Sequence, residues 1–212
     1  MNPMKTSEAI AQKMNHFNLM GTPHPRQLAE WHNRLQKLAE RTRLGIPVTI
    51  STDPRHHFTN NPAAGFMASD FSTWPETFGL AATRDEALVQ QFGDIARQEY
   101  RAVGIRVGLH PQIDLVTEPR WNRINVTLGE DADLTSKMTK AYIRGFQGEK
   151  LGKESVACMA KHFPGGGPQK DGEDPHFRSG KEQVYPGNNF DYHLKPFEAA
   201  FDAGVSQIMP FR

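Results

Sequence analysis

Four separated points in the sequence carry side chains that could act together on one ligand. Asp53 closes the β-branched segment Ile46–Thr52, His110 follows Ile105–Leu109, Lys161 and His162 follow the apolar run Ser155–Ala160, and Met209-Pro210-Phe211-Arg212 ends the chain. The stretch Glu118-Pro119-Arg120-Trp121-Asn122-Arg123 lies between the second and third of these points. An ammonium, an imidazole, a guanidinium and a carboxylate around one cavity donate and accept several hydrogen bonds at once. Such a set suits a ring bearing many hydroxyls better than an apolar ligand. A sugar is the natural candidate.

Other chemistries leave weaker marks. Nine histidines are present and His56-His57 sit beside Asp53, so a metal hydrolase using His56, His57 and His162 is a rival. Yet no H-E-x-x-H spacing occurs, and adjacent histidines rarely converge on one ion, so no metal site is expected. Phe163-Pro164-Gly165-Gly166-Gly167-Pro168 is glycine-rich but lacks the order of a phosphate-binding loop, and its prolines remove donors and stiffen it. The single cysteine, Cys158, has no disulfide partner within the chain and reads as a small buried hydrophobe. Each favoured residue also has a plain structural role open to it. Asp53 before Pro54 could form a turn, Arg123 could pair with Glu130 or Asp131 on the surface, and Lys161 could reach out to solvent. A lysine next to a histidine at the end of an apolar strand is harder to explain that way, because its desolvation needs a compensating partner or ligand.

These residues need a scaffold, and the pattern supplies one. Over 26–43, Leu28, Trp31, Leu35, Leu38 and Ala39 recur at helical spacing before Gly45, and the apolar segment 46–53 then reads as a strand. Residues 54–82 are irregular and long, which predicts a functional loop. Thr83-Arg84-Asp85-Glu86 has the form of a capping box, with Leu88, Phe92, Ile95, Ala96 and Val103 on the inner face of the helix it opens. A strand follows over 105–109. A helix over 133–147 turns Leu134, Met138, Ala141 and Phe146 inward, the strand 155–160 follows, and a Gly/Pro/Asp-rich loop spans 164–191. A last helix over 193–203, with Leu194, Phe197, Ala200 and Phe201 inward, leads to the strand 205–210. Helix then strand, four times, with strands buried on both faces, predicts an α/β fold with a parallel sheet. Every long loop follows the carboxyl end of a strand, where barrels and open α/β sheets keep their sites.

Composition narrows the partners. The 212 residues hold 25 Lys+Arg against 24 Asp+Glu, so a nucleic-acid-binding face is not expected. No run of 18 apolar residues occurs, which excludes a membrane-crossing helix, and no membrane partner is expected. Met1-Asn2-Pro3-Met4-Lys5 lacks an apolar leader; a cytoplasmic location follows if Met1 is the true start, a periplasmic or secreted one otherwise.

Several separated motifs now coincide. Gly45-Ile46-Pro47-Val48 with Asp53, then Asp114, Pro119-Arg120-Trp121-Asn122-Arg123, Gly129-Glu130-Asp131 and Lys161-His162-Phe163-Pro164-Gly165 resemble, in order and spacing, the N-terminal domain of glycoside hydrolase family 3. The resemblance covers roughly 26–212, with 1–25 unassigned. It implies a (β/α)8-like barrel, of which this chain would be about half, belonging to a retaining exo-β-glycosidase of β-glucosidase type that hydrolyses terminal non-reducing β-D-glucosyl residues. It also implies that Asp53, Arg123, Lys161 and His162 hydrogen-bond the hydroxyls of the terminal sugar, with no cofactor. The family usually has Trp-Gly-Arg where this chain has Trp121-Asn122-Arg123. Its nucleophilic Asp and acid/base Glu would fall after Arg212, so no catalytic residue is expected within the chain, and Asp53 is not assigned that role. The expectations that follow are an inactive, truncated chain whose unpaired barrel edges favour self-association, or alternatively a non-catalytic sugar-binding or half-barrel complementation module.

Overall fold

The structure is a computed structural model that describes residues 5–60 and 65–211. Residues 1–4, read above for a leader, and Arg212 lie outside the described residues. The elements run α1 (Thr6–Ala11), β1 (His16–Asn18), α2 (Pro25–Glu40), β2 (Thr49–Thr52), α3 (Thr77–Ala82), α4 (Glu86–Ala102), β3 (Ile105–Gly108), α5 (Ala132–Gln147), β4 (Ala157–Phe163), α6 (Phe190–Asp202) and β5 (Gln207–Pro210). The strands lie side by side in chain order and every pair is parallel, giving about half of a (β/α)8-like barrel. The predicted α/β class and parallel sheet are therefore observed. None of the described helices is long and apolar enough to cross a membrane.

Three short elements escape the sequence pattern. β1 pairs His16, Phe17 and Asn18 with Thr49, Ile50 and Ser51, so the first 25 residues contribute to the sheet. Three residues are too few to show a period of two. α1 and α3, six residues each, are likewise under two turns. α3 lies inside the segment predicted to be wholly irregular.

The capping box also needs correction. Asp85, not Thr83, caps α4, its carboxylate accepting from the Leu88 N–H at 3.0 Å. Thr83 closes α3 instead: its hydroxyl donates to the Leu80 carbonyl at 2.7 Å and accepts from the Asp85 N–H at 3.2 Å. An unforeseen helix ending just before Asp85 claims the threonine first.

The buried face of α4 is Val89, Phe92, Gly93, Ala96 and Tyr100, leaving the expected Leu88 and Ile95 half-buried. Close contact with α5 sets this rotation, because a Cβ on Gly145 would stand 2.5 Å from the Gln90 carbonyl oxygen and 2.8 Å from the Gly93 Cα. In α6, packing on α5 and β4 runs through Pro196, Phe197, Ala199 and Ala200, so Phe201, expected inside, is 53% exposed. Leu38 of α2 likewise lies outward, whereas Leu28, Leu35 and Ala39 are buried. The core beneath the strand ends is aromatic: Tyr142 stacks on Phe146 at 4.8 Å between ring centroids, and Phe92 and Tyr100 pack beside them.

Candidate functional site

Asp53 follows β2 and Lys161 lies near the end of β4, 108 residues later, yet the Lys161 Nζ donates to Asp53 Oδ1 at 2.7 Å. Both side chains are largely shielded, at 4% and 16% exposure. Parallel strands bring all their carboxyl ends to one edge, which is why residues so far apart in sequence meet there. Burial holds the Lys161 ammonium below the ordinary lysine value, and Asp53 and Asp114 offset part of that.

His162 is delivered by an irregularity in the sheet. Lys161 pairs with Met209 and Phe163 with Pro210, leaving His162 as the extra residue between them. Consecutive side chains of a regular strand point to opposite faces; a bulge re-aims one of them. The Lys161–His162 and Phe163–Pro164 peptide bonds are both cis. His162 Nδ1 lies 2.9 Å from Asp114 Oδ2, and its backbone N–H donates to Asp114 Oδ1 at 3.0 Å.

Asp114 is fully buried and also accepts from the Gly166 N–H at 2.5 Å. Burial alone would raise this carboxyl; the His162 and Gly166 partners outweigh it and hold the group below the ordinary carboxylate value. Two amides of the glycine-rich loop are spent within the protein, Gly166 N–H on Asp114 and Gly165 N–H on the His162 carbonyl. At Gly167 a Cβ would stand 1.6 Å from the Leu115 carbonyl oxygen, so only glycine fits that approach.

Arg123 is 2% exposed and donates from Nη2 to Gln112 Oε1 at 2.8 Å. Burial lowers its basicity, and Asp114, Asp174 and Asp53 oppose that. Its Nε, the Gln112 Nε2 and the Trp121 Nε1 are buried with no hydrogen-bond partner among the described residues. Unspent donors of this kind are what a hydroxylated ligand would use.

Asp53 does stand at a bend before Pro54, but the plain roles considered above for Arg123 and Lys161 are not those adopted. Arg123 pairs with neither Glu130 nor Asp131; Asp131 caps α5. Lys161 turns inward, and Cys158 is buried as expected, its thiol pushed up by burial.

The histidines part company. His110, expected beside the others, is buried in the aromatic core with Nδ1 2.7 Å from the Tyr142 hydroxyl, and burial holds it well below its ordinary value. Its ring fills the space a Gly108 side chain would need, 2.3 Å from that Cβ position. His56 pairs with Glu99 at 2.8 Å and His57 with the Pro75 carbonyl at 2.8 Å, while His162 faces Asp114. Among the described residues no three His, Cys, Asp or Glu side chains are grouped to hold an ion.

Two residues of this arrangement were not singled out as site members from sequence. Gln112 and Asp114 stand on the segment after β3 that runs beside β4, where Ile113 N–H donates to the Lys161 carbonyl and Lys161 N–H to the Pro111 carbonyl. The alternation His110, Gln112, Asp114 against Pro111, Ile113, Leu115 is a signal that could have marked both, and Asp114 also stands among the residues that carry the family resemblance, without a role assigned to it there.

The model of the glycosyl hydrolase family 3 N terminal domain matches residues 7–211. The chain is similar to probable beta-glucosidase C of Aspergillus flavus, 58% identical over 208 residues covering 97% of this chain and 33% of that protein. The periplasmic beta-glucosidase/beta-xylosidase of Dickeya chrysanthemi is 49% identical over 212 residues, 99% of this chain and 32% of that protein. Among solved structures, a mutant beta-glucosidase from Listeria innocua in complex with laminaribiose superposes with a TM-score of 0.67 at 27% identity, covering 83% of this chain and 23% of that one. The chain spans about a third of the length of the curated relatives it matches.

Proposed function

The chain belongs to glycosyl hydrolase family 3, and from that premise we propose that it forms the sugar-binding part of a retaining exo-β-glycosidase of β-glucosidase type. Asp53, Arg123, Lys161 and His162 hydrogen-bond the hydroxyls of a terminal β-D-glucosyl residue. The observation that carries this reading is the buried Lys161–Asp53 pair at one strand-end edge, beside His162 and an Arg123 with a donor to spare.

The charges favour a neutral ligand. Lys161 and Arg123 are balanced by Asp53 and Asp114, so the cluster is suited to an uncharged hydroxylated ring rather than to a uronate or a sugar phosphate. Retaining hydrolysis needs two carboxylates about 5–5.5 Å apart, one attacking and one protonating the leaving oxygen. In this reading both are supplied from outside residues 1–212. The four residues bind the ring and strengthen their bonds as positive charge develops on it, which lowers the barrier because such gains are made in the transition state.

Calorimetric titration of the chain with D-glucose and laminaribiose tests the reading. Saturable binding lost in Lys161→Met and Asp53→Asn is expected; no binding, or binding that survives Lys161→Met, overturns it.

A second reading, a module that closes its sheet against another half-barrel, draws support from a sheet that has no strand paired outside β1 or β5 among the described residues. Its expected signature is a concentration-dependent dimer in sedimentation, and a chain that remains monomeric at all concentrations rejects it.

A further inference from the structure

We propose that Asp114 is a positioning residue: its buried carboxylate fixes the His162 ring with a hydrogen on Nδ1, so that Nε2 is the acceptor presented to a ligand hydroxyl. An ionised carboxylate only accepts hydrogen bonds, so the ring nitrogen facing it must be the one that donates. The separation of 2.9 Å between His162 Nδ1 and Asp114 Oδ2 is that of a full hydrogen bond. Neutral imidazole carries one hydrogen, and placing it on Nδ1 leaves the Nε2 lone pair free. Nε2 makes no hydrogen bond to any described residue, and the side chain keeps 14% exposure.

The same carboxylate fixes where the ring stands. Its Oδ1 takes the backbone N–H of His162 at 3.0 Å and that of Gly166 at 2.5 Å, locking both ends of the turn that carries the histidine. The turn is also close-packed from outside: a Cβ on Gly166 would be 3.2 Å from both Asp114 Oδ1 and the Phe211 ring. Backbone bonds alone would be served by an asparagine oxygen. The ring contact distinguishes the acid, because an asparagine amide turned toward Nδ1 could donate to it and move the hydrogen to Nε2.

Calling the acceptor a sugar-binding one rests on the function proposed above, whereas the tautomer does not. The test is long-range proton–nitrogen correlation of the histidine rings in the nitrogen-15-labelled 212-residue chain above pH 8, with His162 assigned by the signals lost in His162→Gln. Expected is a protonated, pyrrole-like Nδ1 and a pyridine-like Nε2. Asp114→Glu should keep that pattern, and Asp114→Asn should shift it toward a protonated Nε2. A protonated Nε2 in the unsubstituted chain overturns the proposal, as does a pattern unchanged in a folded Asp114→Asn variant. If that variant does not fold, the spectrum of the unsubstituted chain decides. Adding laminaribiose should shift the Nε2 resonance; an intact Nδ1–H pattern with no response to the sugar overturns the sugar reading and leaves the positioning role standing.

Discussion

Replacing Asp53 by alanine should expose how the fold tolerates a buried ammonium. The substitution leaves Lys161, 4% exposed, without the carboxylate now 2.7 Å away. Removing one partner of a buried ion pair typically costs about 3–5 kcal/mol. A second limit comes from the lysine itself, which can lose its proton rather than stay charged. Deprotonating a group of ordinary value about 10.4 at pH 7 costs about 4.6 kcal/mol, at about 1.4 kcal/mol per pH unit. The two figures agree, so the Asp53→Ala chain should lose about 3–5 kcal/mol in urea unfolding at pH 7. The sign of the pH dependence follows. Burial already holds Lys161 below its ordinary value, and losing Asp53 lowers it further. Between that folded value and about 10.4 the unfolded chain binds one more proton than the folded chain, so stability rises with pH by about 1.4 kcal/mol per unit. The unsubstituted chain should begin this rise only at higher pH. Asp53→Ala with Lys161→Met removes the stranded charge and should return to within about 1.5 kcal/mol of the original. A loss under about 1 kcal/mol, a flat pH profile, or a double variant as weak as Asp53→Ala would refute the reasoning.

Three further outcomes are expected. Asp114→Asn should cost about 1–2 kcal/mol at pH 7, since an asparagine oxygen still serves the two backbone donors but no longer as a charged acceptor, and the charge-assisted contact with the His162 ring is lost. Because the folded carboxyl lies below its unfolded value, its contribution is complete above about pH 4 and fades as pH falls through the folded value, so urea curves of the two chains should converge only in acid. Gly167→Ala should destabilise by at least about 2 kcal/mol, because the neighbour 1.6 Å from its new Cβ is backbone; thermal unfolding within a degree of the original would contradict this. Glu99→Ala removes the acceptor of the Ser72 N–H, the Ser72 hydroxyl and His56, and should cost about 2 kcal/mol and speed proteolysis within 54–76, as followed by mass spectrometry.

The sequence by itself determined the long elements and the edge at which chemistry gathers. Apolar periodicity over ten or more residues marks α2, α4, α5 and α6, and parallel topology then sends Asp53, Lys161 and His162 to one end. Short elements were not legible, since three to six residues carry fewer than two full periods and are held by neighbours rather than by propensity. Only the tertiary structure decided which nearby polar residues join the site. His110 and Lys161 both occupy strand-end positions, yet His110 is taken into the aromatic core by Tyr142 while Lys161 meets Asp53. Arg123 could have met an acidic residue on the surface and instead lies buried on Gln112, because the segment after β3 runs beside β4 and puts Gln112 and Asp114 within reach. Periodicity reports how much of a side chain is shielded from water; the partner that shields it depends on contacts between residues tens of positions apart, such as Asp114 with His162 and Asp53 with Lys161.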